Sequence, residues 1–195
     1  MKKAAIAILF LIATTKLSFG QEFKIDPVHS SATFKVKHLT VSTVVGRFNE
    51  ISGTVIFDES VPAKSKVEAT IKTATVSTEN SMRDSDLKEN YLEVAKYPEM
   101  KFSSTRVEKR GDQWVAIGPL TIKDVTKTVE LPFEVAKADT KMGLRLGVSS
   151  TFKINRNDYH VSKASFADNG AVVGNEITIE LNVEADPPNP AGGVK

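Results

Sequence analysis

Apolar and polar residues alternate with a period of two along most of the chain. The clearest run begins with Leu144, Leu146 and Val148 on one face, and Arg145 and Lys153 lie on the opposite face. This period is typical of a β-strand with one buried face and one solvated face. The pattern predicts eight strands, at about residues 32–38, 44–57, 66–73, 99–107, 113–122, 128–135, 144–154 and 177–183.

Short polar turns separate these strands, for example Arg110-Gly111-Asp112 and Lys123-Asp124, and such turns favour an antiparallel meander. One helix is predicted to interrupt the meander at about residues 81–95, because apolar residues recur there at helical spacing. Asp86 and Glu89 have the spacing of a capping box. The predicted architecture is thus all-β with one short helix.

Eight strands with one apolar face each can form a sandwich or close into a barrel. The strands are long, about 8–14 residues against a usual length of about 5–6, and their order is mostly up and down. Both features favour a single, roughly eight-stranded antiparallel β-barrel. The lumen of such a barrel holds its own side chains or one small ligand, and the alternation does not decide between them.

The first 20 residues have the order of a secretory signal peptide: Lys2 and Lys3, an apolar run from Ala4 to Ala13, then small residues up to Gly20. The apolar run is too short for a spanning helix, and no later stretch predicts an integral membrane span. We therefore expect a signal peptide over residues 1–20, a folded domain over 21–185, a disordered tail over 186–195, and a periplasmic or secreted product.

The net charge and the absence of cysteine argue against some partners and some kinds of structural cross-link. Removing residues 1–20 lowers Lys+Arg from 26 to 23 against 24 Asp+Glu, so the mature chain is close to neutral. A neutral chain offers no electrostatic case for nucleic acid or an anionic membrane as a partner. The chain has no cysteine, so disulfides and a lipoprotein anchor are excluded and the fold depends on its core.

An ordered series of short motifs resembles the YceI-like, polyisoprenoid-binding family and covers roughly residues 23–185. It comprises Asp26-Pro27-Val28-His29-Ser30, Phe34-x-Val36-x-His38, Ser42-x-x-x-Gly46-x-Phe48, Arg83-Asp84, Tyr97-Pro98-x-Met100-x-Phe102, Asn155-Arg156-Asn157-Asp158-Tyr159 and Val173-Gly174-Asn175-Glu176. The resemblance implies an exported, lipocalin-like barrel that holds a long isoprenoid or similar amphiphilic lipid without catalysis. The chain departs from the family at two positions, with Asp86 for the usual histidine and His160 for the usual glycine.

The inward face of the predicted strands supplies the apolar candidates for contact with a ligand. Trp114 alternates with the small residues Ala116 and Gly118, so its strand is a candidate ligand wall. Some members of this set must be plain core, and the sequence does not separate the two groups. The candidates are Phe34, Val36, Phe48, Phe102, Trp114, Leu120, Phe133, Leu146 and Phe152.

Five polar or aromatic residues are candidates for contact with a lipid head group: His38, Arg83, Arg156, Tyr159 and His160. Arginine suits bidentate contact with an anion, and the alternative for Arg83 is a surface ion pair and helix cap beside Asp84. The stretch 155–170 has no period and is either a binding loop, with Phe166 as a further contact, or an ordinary surface loop.

Three histidines without close spacing and without cysteine predict no metal site and no cofactor. His38 then serves as a wall residue or head-group contact, and His29 holds a turn beside Asp26. The leading function is a binding protein for a hydrophobic ligand, as a monomer or homodimer. The alternatives are an enzyme acting on the bound lipid, although no G-x-S-x-G motif is present, and a structural protein with a solid core.

Overall fold

The structure is a computed structural model, and it describes residues 20–141, 143–163 and 170–188. The predicted signal peptide, except Gly20, lies outside the described residues, as does Phe166. The predicted tail is described only as far as residue 188, and Asp186, its first residue, ends the last strand. Among the described residues, no helix is both long enough and apolar enough to cross a bilayer.

The described chain forms antiparallel strands, three short 3-10 turns (Pro62–Lys64, Thr73–Thr75 and Arg156–Tyr159) and one longer helical segment. That segment is an α-helix, α1 (Ser81–Asp86), which continues through a π-helical turn at Leu87–Tyr91. The strands are β1 (Gln21–Ile25), β2 (Ser31–His38), β3 (Ser42–Phe48), β4 (Ile51–Phe57), β5 (Lys66–Lys72), β6 (Val76–Ser77), β7 (Glu99–Ser103), β8 (Arg106–Arg110), β9 (Gln113–Ile122), β10 (Val125–Thr140), β11 (Gly143–Asn155) and β12 (Val173–Asp186).

The twelve strands form the eight walls of the barrel. Four walls consist of two consecutive strands with a break between them, and each of the other four is a single long strand. The pairs β1/β2, β3/β4 and β5/β6 follow one another around the barrel, and β7 and β8 both pair with β9. The long strand β12 pairs with β11 on one side and with β1 and β2 on the other, which closes the barrel. The predicted eight-stranded antiparallel barrel with one short helix is confirmed.

The sequence pattern did not predict the breaks that divide these walls into two strands. The predicted strands 44–57 and 99–107 each divide in two, and the short strands β1 and β6 were not predicted. The interpretation of Asp86 and Glu89 as a capping box is wrong. The helix begins earlier, after Asn80, whose side chain accepts a hydrogen bond of 3.0 Å from the Arg83 backbone N–H.

The core is densest at one end of the barrel. Trp114 packs there against Phe57, with ring centroids 4.9 Å apart, and against Phe133 at 6.3 Å. Phe23 and Leu146 are fully buried in the same cluster. We call this the closed end. At the other end, a smaller cluster around Phe48, Val76 and Leu92 packs under the helical segment.

Candidate functional site

Two cavities lie inside the barrel. The lower cavity, of about 130 Å³, lies next to the core of the closed end. Its lining is apolar apart from Thr33, Lys101 and Ser150, and it includes side chains from most of the walls. The upper cavity, of about 350 Å³, lies under the helical segment and next to β2, β3 and the start of β12. Its volume is within the range of small-molecule sites, about 300–1,000 Å³.

The two cavities meet at a shared ring of side chains. Members of this ring line both cavities, and they come from β3, β7, β9, β11 and β12: Phe48, Met100, Ile122, Ile154 and Ile179. All five are apolar, so the boundary between the cavities presents no polar side chain to an aliphatic ligand. The two cavities therefore adjoin inside the barrel, with this ring between them.

Polar groups collect around the upper cavity. Lys163 Nζ donates to Asp86 Oδ2 at 2.7 Å, which links the segment before residue 164 to helix α1. Arg83 and Asp84 both bond to Thr78: Arg83 Nε donates to Thr78 Oγ1 at 2.7 Å, and Thr78 donates to Asp84 Oδ1 at 2.6 Å. The upper cavity therefore has an apolar interior and charged groups at its edge, as an amphiphilic ligand requires.

Arg156 also lines the upper cavity, but its hydrogen bonds run to the protein itself. Its guanidinium donates to the carbonyl oxygens of Gly174, Val161 and Val173 and to Asn175 Oδ1, at 3.0–3.2 Å. Only 2% of the residue is exposed. These contacts hold Arg156 and Val161 against the start of β12, so Arg156 acts first as a structural clasp.

The sequence-predicted ligand contacts separate into three groups. Phe34, Val36, His38, Arg83 and Arg156 line the upper cavity, and Phe48 lines both cavities. Phe102, Leu120, Phe133 and Phe152 line the lower cavity. Trp114, Leu146, Tyr159 and His160 lie elsewhere: the first two in the core of the closed end, the last two in the turn after β11.

The two residues in that turn have local roles. Tyr159 is 2% exposed, and burial raises the pKa of its phenol. His160 has a φ of 53°, a left-handed conformation that favours glycine. Its Nδ1 lies 3.1 Å from Asp124 Oδ1, and this contact lowers the pKa of the Asp124 carboxyl.

The structure adds contacts that the sequence reasoning missed. Asp86, Leu87 and Tyr91 reach the upper cavity from the helical segment, and Lys163 reaches it from the chain after the turn. Ile177 and Ile179 belong to an alternating stripe that the sequence already shows, and that stripe could have identified them. Leu87 and Tyr91 belong to the apolar repeat that predicts the helix. Periodicity does not show, however, that this helix or Lys163 lies at the cavity, because tertiary contacts place them there.

A hydrogen bond between His29 and Asp26 stabilises the bend between β1 and β2, as predicted. His29 Nδ1 lies 2.6 Å from Asp26 Oδ2, and this hydrogen bond raises the pKa of His29 and lowers that of Asp26. Glu184 completes a group whose potential metal-ligand atoms lie within 4.8 Å of one another. The group belongs to neither cavity lining, and the turn accounts for its geometry.

Comparison with known proteins gives consistent matches. The model of the YceI-like domain family matches residues 23–185. Protein YceI of Salmonella agona is 36% identical over 169 residues, which are 83% of this chain and 88% of that protein. The crystal structure of the Campylobacter jejuni YCEI protein superposes with a TM-score of 0.68 at 29% identity, covering 97% of this chain and 100% of that one.

A polyisoprenoid binding domain from Saccharophagus degradans superposes with a TM-score of 0.66. The match covers 85% of this chain and 98% of that domain, but the identity is only 16%. At this identity the likeness shows a shared fold.

Proposed function

The chain belongs to the YceI-like family, and on that premise we propose that it is an exported binding protein that holds one isoprenoid or similar amphiphilic lipid inside the barrel. The observation that carries the proposal is the pair of adjoining cavities with charged groups around the upper one, which together would form an apolar channel for the lipid. The name of the Saccharophagus degradans domain, which has the same fold, supports an isoprenoid as the ligand class.

Burial of the lipid chain supplies the affinity in this proposal. Apolar surface removed from water contributes about 25 cal/mol per Å², and the ring residues join the two cavities into one path for the chain. The head group would lie near Arg83, His38 and the pair of Lys163 and Asp86 at the upper cavity. The protein would thereby shield the lipid from water as it carries or stores it.

The alternatives differ in what they require of the lumen. A solid-cored structural protein requires a filled barrel, and the upper cavity of about 350 Å³ speaks against it. An enzyme requires a reactive group at the lipid. The lower lining includes two hydroxyl residues, and the fold uses both hydroxyls: Ser150 Oγ donates to the Pro132 carbonyl at 2.6 Å, and Thr33 Oγ1 donates to the Glu180 carbonyl at 3.3 Å.

The test is organic extraction of the protein purified from its native host, followed by mass spectrometry. We expect a lipid with a long apolar chain, and saturable rebinding of a long isoprenoid by the stripped protein near one molecule per chain. Trp114 is a poor reporter for this titration, because its ring lies in the closed-end core. Folded protein that yields no lipid and rebinds none would contradict the proposal.

A further inference from the structure

The tip of the hairpin between β2 and β3 exposes two large apolar side chains. Leu39 is 50% exposed and Val41 is 83% exposed. The backbone holds them there in a demanding conformation, since Leu39 and Thr40 have φ angles of 50° and 61°. Left-handed backbone is uncommon for a bulky or β-branched residue, and such conformations occur often at functional sites. The tip is therefore a candidate for a functional role.

The tip lies at the same end of the barrel as the upper cavity. Val36 and His38, which precede it on β2, and Val44, which follows it on β3, line that cavity. Met82, which is 83% exposed, lies on α1, next to the cavity residue Arg83. We call Leu39, Val41 and Met82 the apolar rim.

The hairpin that carries Leu39 and Val41 is positively charged, although the mature chain is nearly neutral. The helical side of the apolar rim, around Met82, is acidic instead, with five acidic residues against Arg83 and Lys88 in the range 79–93. Residues 27–49 contain Lys35, Lys37 and Arg47 but no aspartate or glutamate. Lys35 is paired with Glu180 at 2.6 Å. Lys37 is exposed two residues before Leu39, whereas Arg47 is exposed opposite Thr33, farther from the tip. The near-neutral net charge of the mature chain therefore does not reveal that this hairpin is basic and that its tip is apolar.

We propose that the apolar rim docks on a lipid bilayer that contains anionic lipid, with the upper cavity facing the membrane. Leucine, valine and methionine side chains would enter the boundary between head groups and acyl chains, while Lys37 contacts the anionic head groups. A lipid could then move between the bilayer and the channel without crossing bulk water. This inference rests on the proposed function for its purpose, but docking itself can be measured without any transfer.

The experiment is co-sedimentation of the mature protein with vesicles of equal parts phosphatidylcholine and phosphatidylglycerol, and with vesicles of phosphatidylcholine alone. We expect stronger binding to the anionic vesicles, weakened by added salt. The double variant Leu39→Ser/Val41→Ser should lower the partition coefficient about tenfold or more, because it removes apolar surface from the contact. Lys37→Gln should reduce the preference for anionic vesicles, because Lys37 is an exposed cation two residues before Leu39.

Val28→Ser is the matched control. Val28 is 81% exposed, close to Val41, but it lies in the bend before β2, the whole eight-residue strand away from the tip. At about 3.3 Å per residue the separation is about 26 Å, so this variant should bind vesicles like the wild type.

Isoprenoid binding is measured separately, with the isoprenoid added from ethanol and no vesicles present. Wild-type protein that binds the isoprenoid but not the vesicles would overturn the docking inference and leave the proposed function intact. Equal vesicle binding by the Leu39→Ser/Val41→Ser protein and the Val28→Ser control would also overturn it. Rim-dependent vesicle binding without isoprenoid binding would support docking and contradict the proposed function instead.

Discussion

Phe34 and Gly46 face each other across β2 and β3, and the phenyl ring occupies the space where a side chain at position 46 would begin. A Cβ on Gly46 would lie 2.2 Å from Phe34 Cζ and 2.8 Å from Thr78 Cγ2. Phe34 also contacts Phe48, with ring centroids 5.7 Å apart. The glycine therefore sets the position of an aromatic side chain that lines the upper cavity.

The variant Gly46→Ala should force Phe34 to move, because both cannot occupy this space. We expect a loss of about 1–3 kcal/mol in the free energy of unfolding, as for other overpacked sites, and weaker isoprenoid binding. Gly147→Ala is the control, since its Cβ would meet its nearest neighbours at 3.7 Å. Urea unfolding compares the two variants, and equal stability would show that Phe34 is not held by Gly46.

Arg156→Lys tests whether Arg156 is a structural clasp or a ligand clamp. Lysine cannot donate to all four acceptors, so some buried carbonyl oxygens would lose their partners. We expect a loss of at least about 2 kcal/mol in the free energy of unfolding. The exposed Arg83→Lys should change the stability by less than about 0.5 kcal/mol. A stable Arg156→Lys protein with impaired lipid binding would favour the clamp.

The pair of His29 and Asp26 should make stability depend on pH. The raised pKa of His29 means that its contribution is complete below its ordinary value of 6.5 and is lost as the pH rises through the folded value. The lowered pKa of Asp26 means that its contribution is present above 3.8 and is lost as the pH falls through the folded value. The pair therefore stabilises the bend most between the two ordinary values, from pH 3.8 to pH 6.5.

We expect His29→Ala to be destabilised at pH values below about 6.5 and to approach the wild type at alkaline pH. Asp26→Asn should lower the pKa of His29, which NMR titration of the imidazole measures directly. An unchanged His29 titration in the Asp26→Asn protein would contradict the assignment of the shift to this hydrogen bond.

Ile179→Trp tests whether the two cavities form one channel. Ile179 belongs to the shared ring, and a larger side chain there should close the passage. Binding of a long isoprenoid should fall about tenfold or more, because only the upper cavity remains available, while a short-chain isoprenoid should be affected less. Thr178→Trp is the control, since the alternation of β12 turns this residue to the opposite face. An equal loss of binding for long and short isoprenoids would indicate that the cavities are separate sites.

The number of walls and the face each one turns inward followed from the sequence alone. The period of two is a local property of the strand, so Phe34, Val36 and His38 could be assigned to one face before any contact was known. The resemblance to the YceI-like family likewise depended on residues that can be read in order along the chain.

The positions along the barrel axis were decided by the tertiary structure. Trp114 and Leu120 alternate in the same phase on β9, yet only Leu120 reaches a cavity, because the packing of Phe57 and Phe133 buries Trp114 at the closed end. Asp86 and Lys163 are 77 residues apart and meet only when the barrel is closed. Alternation determines the side of the sheet on which a residue lies, whereas the depth of that residue and its partners depend on contacts between segments distant in the chain.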